Sequence, residues 1–366
     1  MNIAFYIDEM NYRGVANSTY QFALNNQNIL NNKSIIFYNK KNYRNKREVI
    51  NKFKKKFKIT PVSRFEEINN YKKKDKIKFI YVQKSGNKDQ WISHEIKTIV
   101  HSVYPQRLNE IHGFNYAYIS EWLSDQFSNK KIQFVPLITE TIKTKKNLRK
   151  FFKIKKNNLV FGCHGGDSSF DMKFTQTAIL KAADLRKDIS FLFLNINKFC
   201  NHPRIKFLKG TSDETFKKKF INSCDAMIYG RSLGESFGLA CGEFAIENKE
   251  IISYKYNRHK SHEHNILSKN LIKYGSYSSL LSILLTYKKK PYIKNYRCKY
   301  RTYTKKKVMK IFNKSFLQNN KPIQITVFDN ILNYFNFLKM SYFYLRHKIY
   351  NYYFKYIELK FINFKD

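Results

Sequence analysis

The residues best suited to chemistry are two carboxylates, Glu235 and Glu243, held in the stretch Gly234-Glu235-Ser236-Phe237-Gly238-Leu239-Ala240-Cys241-Gly242-Glu243. Upstream, Ala226-Met227-Ile228-Tyr229-Gly230 has the composition of a short buried strand. Downstream, Gly242 to Glu247 carries the apolar face of a helix that Asn248 could end. The stretch reads as strand, glycine turn, helix start. A helix start offers unpaired N–H groups and a partial positive charge, which suits an anion, and glycines let that anion approach the backbone. Two carboxylates would repel phosphates if they faced them, so they must face neutral hydroxyl groups instead. A molecule with phosphates and hydroxyls on both sides, such as a nucleotide sugar, meets both demands. A surface turn before an ordinary helix is the plain alternative.

The elements that must position this stretch follow from composition and periodicity. A chain of 366 residues with 43% hydrophobic residues is long enough for two globular domains, each with its own core. Lys and Arg number 69 against 27 Asp and Glu, giving +42, a field that draws polyanions of any kind. Lys, Asn, Ile, Tyr and Phe are enriched together throughout, as a biased coding composition produces, so the charge alone does not define a nucleic-acid site. No helix-turn-helix, RNA-recognition or zinc-finger pattern occurs, and no specific nucleic-acid partner is expected. Five scattered cysteines without a Cys-x-x-Cys pair point to a reducing compartment and against zinc or a disulfide framework. Met1 to Asp8 is too short an apolar run for a signal peptide, and no apolar run approaches the roughly 18 residues of a spanning helix. The expectation is a cytoplasmic protein, soluble or peripheral at a membrane.

Short β-branched and aromatic runs predict strands at Ile3–Asp8, Ser34–Tyr38, Ile77–Gln83, Thr98–Val103, Tyr116–Ser120 and Ile132–Pro136 in the first half. A helix from about Asn17 to Leu30 and a lysine-rich helix or loop over Asn39–Phe57 separate the first of them. Ser120 is placed to cap a helix through Phe127. The second half predicts strands at Leu159–Gly162, Phe191–Ile196 and Ile205–Leu208, and helices at Phe174–Arg186 and Ser278–Leu285. Thr211 and Glu214 have capping-box spacing for a helix through Phe220 or Asn222. Strands alternating with helices predict parallel, doubly wound sheets. Thr139–Lys156, lysine-rich and patternless, is read as the linker, so the expected domains are 1–140 and 141–320, followed by a helical aromatic and basic extension over 321–366. The three close histidines His259, His262 and His264 read as a solvated basic loop rather than a metal site. Residues 340–366 are dense in Tyr, Phe, Ile and Lys, which allows either contact with an anionic membrane surface or burial against protein.

Glu235-Ser236-Phe237-Gly238-Leu239 through Glu243 resembles the Glu, seven residues, Glu signature of retaining glycosyltransferases of the two-domain GT-B architecture, family 4 in particular. The resemblance runs from about Ile3 to Leu285 and is strongest from Leu159 to Ile252. It implies two Rossmann-like domains facing each other across a cleft, and transfer of a hexose from a nucleoside-diphosphate sugar to a saccharide or lipid-linked acceptor, with retention and without metal or cofactor. By the same resemblance Glu243 binds the ribose hydroxyls and Glu235 a sugar hydroxyl, while the amides of Phe237, Gly238 and Leu239 contact that sugar. Lys173 and Arg231 are assigned to the diphosphate, and the Gly165-Gly166 turn offers it further N–H groups. Gly14 stands in the loop beside the donor phosphates and the acceptor. His101, at the end of a predicted strand, lies near the acceptor; His94 and His112 are its rivals. Cys163 occupies the place where many relatives carry an arginine, which leaves open a non-catalytic protein of this fold. A basic nucleic-acid-binding protein is the remaining alternative.

Overall fold

The structure, a computed structural model, describes residues 1–267, 271–289, 298–319 and 323–360. The chain forms two compact units, Met1–Glu140 with Thr302–Phe337, and Thr141–Arg301 with the stretch from Leu338 onward.

The first unit is built on six parallel strands, β1 (Asn2–Ile7), β2 (Lys33–Asn39), β3 (Lys58–Val62), β4 (Ile77–Lys84), β5 (Lys97–Ser102) and β6 (Asn115–Tyr118), in the order β3-β2-β1-β4-β5-β6. The central strands are apolar on both faces because both faces are covered. Ala4, Tyr6, Ile35, Phe37, Ile80 and Val82 point into one core. Phe5 and Tyr81 point the other way, their rings 5.2 Å apart, and Tyr81 meets Phe22 of the helix Gly14–Asn28 and Phe312 of the helix Lys305–Phe312. Ser120 caps the helix Glu121–Ser128 as expected, its hydroxyl accepting the Leu123 N–H at 3.3 Å. The strand β3 is absent from the sequence reading because Pro61 interrupts it; an edge strand tolerates that missing donor. Ile132–Pro136, expected as a strand, makes only a single bridge between Phe134 and Tyr118.

The second unit repeats the plan with β7 (Leu159–His164), β8 (Ile189–Leu194), β9 (Ile205–Leu208), β10 (Ala226–Tyr229), β11 (Gly234–Glu235), β12 (Glu250–Tyr254), β13 (His259–Lys260) and β14 (Leu271–Tyr274). The parallel sheet runs β14-β12-β10-β7-β8-β9, and β11 pairs with β13 outside it. The sequence shows no clear strand at β12 because the run begins on the buried Glu250, whose carboxylate takes a hydrogen bond from the Tyr287 hydroxyl at 2.8 Å, and includes Ser253. The helix expected to start at Thr211 starts at Glu214. Asp213 caps it, accepting the Thr215 N–H at 2.7 Å, and Thr211 instead accepts the Asp213 N–H at 3.0 Å, so no Thr–Glu capping box forms. Both sheets have the strand order in which direction of winding reverses in the middle, between β1 and β4 and between β7 and β10. The carboxyl ends of the strands at such a reversal are where open α/β sheets bind ligands.

A single helix, Val327–Tyr353, carries the chain out of the first unit and into the second. In the first unit, Asn333 donates to the carbonyls of Gln106 at 3.0 Å and Phe127 at 2.7 Å. In the second, the Tyr350 hydroxyl accepts the Tyr277 N–H at 2.9 Å and its ring meets Phe174. Among the described residues no helix is long and apolar enough to cross a membrane.

Candidate active site

The Glu235–Glu243 stretch follows directly on β10, at the carboxyl end of the strand where the second sheet reverses. Two of its glycines are fixed by backbone demands. Gly234 has φ +75° and its Cα faces the His259 carbonyl, so that a Cβ would stand 2.1 Å from that oxygen. Gly238 has φ +83° and precedes the helix Leu239–Ala245; a Cβ there would come within 2.7 Å of the Tyr300 hydroxyl and 2.9 Å of the His262 Cβ. The Tyr300 hydroxyl donates to the Phe237 carbonyl at 2.6 Å and locks the turn. Glycine is therefore needed at both positions before any ligand is considered. The substitution Gly238→Ala is expected to cost at least about 2 kcal/mol in urea denaturation, from strain plus displacement of Tyr300. Gly14→Ala, where a Cβ would meet nothing within 4 Å, is the control and should stay within about 0.5 kcal/mol of the parent.

Glu243, on the helix Leu239–Ala245, is 5% exposed, yet it is held as an anion. Its Oε1 accepts from Lys217 Nζ at 2.5 Å, and its Oε2 lies 2.9 Å from His164 Nε2. Burial acts to raise its pKa, but Lys217 and His164 outweigh burial and bring it down to about 2. Each carboxylate oxygen keeps a second lone pair as an acceptor, Oε2 being enclosed by the protein around it. Glu235 is the more open acid. Its Oε1 accepts the Tyr229 hydroxyl at 2.8 Å and lies 3.5 Å from Arg231 Nη1. The phenol of Tyr229 is pushed well above its ordinary pKa by burial and by the Glu235 charge, so it stays a donor. The Cys163 and Cys241 thiols are buried and raised in the same way, first by burial and then by Glu235. Cys163 thus fills the place expected of an arginine with a neutral, interior side chain.

The remaining expected residues divide. Gly165 and Gly166 follow β7; the Gly165 carbonyl accepts from Asn195 at 2.6 Å, and the Gly166 carbonyl from the Ser169 N–H at 2.9 Å, closing a tight turn beside His164. Lys173 opens the helix Lys173–Leu185 and is exposed. Phe237 is buried and Leu239 is the first residue of its helix.

His101 must be withdrawn from the site. It is 0% exposed on β5, its Nε2 donates to the Val135 carbonyl at 2.8 Å, and its Nδ1 accepts from the Tyr81 hydroxyl at 2.6 Å. Burial lowers its pKa from 6.5 to about 3, so it is a neutral core histidine packed against Phe22 and Phe316. Gly14 begins the helix Gly14–Asn28 without a left-handed backbone or a close neighbour, so the chain's own packing does not require glycine there. The histidine triplet is not a solvated loop. His259 and His262 are buried in β13 and the turn of helix Ser261–Asn265, and His262 Nε2 lies 2.8 Å from the Ser253 hydroxyl. Among the described residues no group of three or more His, Cys, Asp or Glu is placed to hold a metal ion.

Lys217, His164 and Tyr229 are the side chains around the two glutamates that sequence reasoning missed. Lys217 is hidden in the run Lys217-Lys218-Lys219, where spacing alone does not say which lysine turns inward. His164 carried a legible signal, since it directly ends a strand at the reversal of the sheet.

The fold has clear counterparts among solved structures. Anabaena HepE in complex with UDP-glucose superposes with a TM-score of 0.57 at 12% identity, over 93% of this chain and 99% of that one. A glycosyltransferase from Rickettsia africae gives 0.52 at 12% identity, over 93% and 98%. A UDP-GlcNAc 2-epimerase from Neisseria meningitidis bound to UDP-GlcNAc gives 0.55 at 10% identity, over 87% and 100%. The fold is GT-B. No family model matches the chain, and no curated protein matches it in sequence. At these identities the GT-B likeness is one of architecture, and residue roles rest on the geometry above.

Proposed function

We propose that this GT-B chain transfers a hexosyl group from a nucleoside-diphosphate sugar to a hydroxyl of a saccharide or lipid-linked acceptor, with retention and without a metal. The observation that carries the reading is the buried anion Glu243, kept charged by Lys217 and His164 at the reversal of the second sheet, with Glu235 on the same turn. Support comes from GT-B neighbours that hold UDP-glucose or UDP-GlcNAc. A buried carboxylate with spare lone pairs is an acceptor for paired ribose hydroxyls. Glu235 accepts from a hydroxyl of the sugar, and Arg231 sits within reach of that carboxylate. The transition state is oxocarbenium-like, and the main requirement is to stabilise the departing diphosphate. Arg231, Lys173 and the Gly166 N–H of the Gly165-Gly166 turn are assigned to that charge, the Gly165 N–H being donated to the Leu194 carbonyl at 3.4 Å. With Cys163 neutral, these groups take the charge that an arginine at its place would share.

Release of UDP from UDP-glucose, with and without saccharide acceptors, tests the reading. The intact chain is expected to release UDP above background, and Glu235→Ala to lower kcat at least about tenfold while changing UDP affinity little, since one charged hydrogen bond to the sugar is lost. Product analysis separates transfer from epimerisation, the other chemistry among the GT-B neighbours. A chain that binds UDP but turns over no UDP-sugar would be a non-catalytic protein of this fold.

A further inference from the structure

The second part of the helix Val327–Tyr353 shows an apolar stripe that no part of the described chain covers. Leu338, Tyr342, Leu345, Ile349 and Tyr352 alternate at spacings of four and three residues, and each is at least 48% exposed. The same alternation runs back to Phe328. Met340 and His347 are buried against the second unit, His347 beside Tyr254, and Phe354 follows them at the same seven-residue interval. Leu345 and Ile349 lie two positions either side of His347, about 200° around the helix, so the stripe points directly away from the protein. From Leu338 to Tyr352 it is about 21 Å long.

The charges beside the stripe select its occupant. Lys339 and Arg346 flank one edge and Lys348 the other, all exposed, and no acidic residue occurs from Asn330 to Ile357. A second copy of this helix laid along the stripe would set cation against cation at both edges, in either orientation, which opposes pairing. An anionic surface is attracted instead. The stripe is also rich in aromatic side chains: Tyr342 and Tyr352 lie in it, and Tyr334 and Tyr353, exposed, lie at its borders. Tyrosines and lysines at the margin of an apolar helical face are the chemistry of a helix lying in the headgroup region of a bilayer, where apolar groups enter the acyl boundary and long cationic side chains reach phosphates.

We propose that this face docks on an anionic lipid membrane, the helix lying in the plane of the interface. The inference stands apart from the glycosyl-transfer reading, since it uses no residue of the candidate active site.

The test is vesicle flotation of the full chain with phosphatidylcholine alone and with phosphatidylcholine containing phosphatidylglycerol, at physiological salt and above it. A net charge of +42 attracts anionic vesicles by itself, so the deciding variant keeps every charge: Leu345→Ser with Ile349→Ser. The parent is expected to float with anionic and not with neutral vesicles. The double serine variant should lose about tenfold or more in partition. Reversal of Lys339, Arg346 and Lys348 to Glu should lose on the order of a hundredfold. The serine variant changes only exposed side chains and should retain the parent's melting temperature and UDP binding; Arg346 lies 3.8 Å over the Tyr256 ring, so the charge-reversed variant is compared at temperatures well below its own melting temperature. Equal partition of the serine variant and the parent would overturn the proposal, as would failure of the parent to float. A concentration-dependent dimer abolished by the same serine substitutions would overturn it in favour of self-association.

Discussion

Glu243→Ala is expected to weaken UDP binding to the intact chain at least about a hundredfold, because two hydrogen bonds from ribose hydroxyls to a charged acceptor contribute about 1.5–3 kcal/mol each. Calorimetric titration measures it. The substitution also leaves Lys217, whose side chain is 20% exposed, without its 2.5 Å partner in a mostly buried place. Some stability is lost with it, so melting temperature must be read in parallel and affinity measured well below that temperature. Glu243→Gln separates the two effects: it keeps the volume and one acceptor oxygen, and should bind UDP with an affinity between the parent and the alanine variant. The acid carries its own pH signature. Its folded pKa of about 2 lies below the ordinary 4.5, so the stability it contributes is present above about 4.5 and is lost as pH falls toward 2. Glu243→Gln should remove that portion of the acid sensitivity. UDP affinity unchanged in both variants would remove Glu243 from the site.

A second large effect is expected from buried histidines. His101 in the first unit and His259 and His262 in the second each have a pKa lowered by burial from 6.5 to about 3; Arg258 and Arg231 add to this at His259, and Lys273 and Lys260 at His262. Each is neutral when folded and takes a proton when unfolded at mildly acid pH. Stability is therefore at its full value above about pH 6.5 and is lost progressively as pH falls toward 3, the unfolded chain binding more protons throughout that window. One such group is worth up to about 4–5 kcal/mol at the bottom of the window, against a total stability of about 5–15 kcal/mol for an ordinary domain. Self-repulsion of the strongly cationic chain adds to the loss. The loss is expected to be larger in the second unit, which holds two of these histidines, than in the first, which holds one. Urea midpoints at a series of pH values from 7.5 downward check this by circular dichroism. A midpoint independent of pH down to 5 would show that these histidines are charged in the folded chain.

The parallel architecture was legible because its central strands are buried on both faces and read as short apolar runs, such as Ile3–Ile7, Ile35–Phe37 and Phe191–Leu194. Strands whose burial is paired with a polar group or a proline were not: Lys58–Val62 carries Pro61, and Glu250–Tyr254 opens on a buried glutamate satisfied by Tyr287. In the site, the two glutamates and their glycines were visible because a sharp turn needs glycine at particular places. The partners of Glu243 were not, because they arrive from separate elements, Lys217 from a helix and His164 from the end of β7. His101 misled for a related reason. Its position at the end of a strand fits a ligand site, but its ring nitrogens are already taken by Val135 and Tyr81, contacts far apart in sequence. The histidine triplet misled in the opposite direction, since a basic stretch that reads as solvated is folded inward beside Gly238 and Glu235.

The most direct measurement is calorimetric titration of the intact chain with UDP and, separately, with inorganic pyrophosphate at physiological salt. If the second unit grips a nucleoside diphosphate through the hydroxyls that Glu243 accepts, UDP binds at a single saturable site and pyrophosphate binds at least about tenfold more weakly, one or more charged hydrogen bonds being absent. Equal affinity for the two anions would mean that the chain attracts them through its net charge alone. Absence of UDP binding would contradict the account outright.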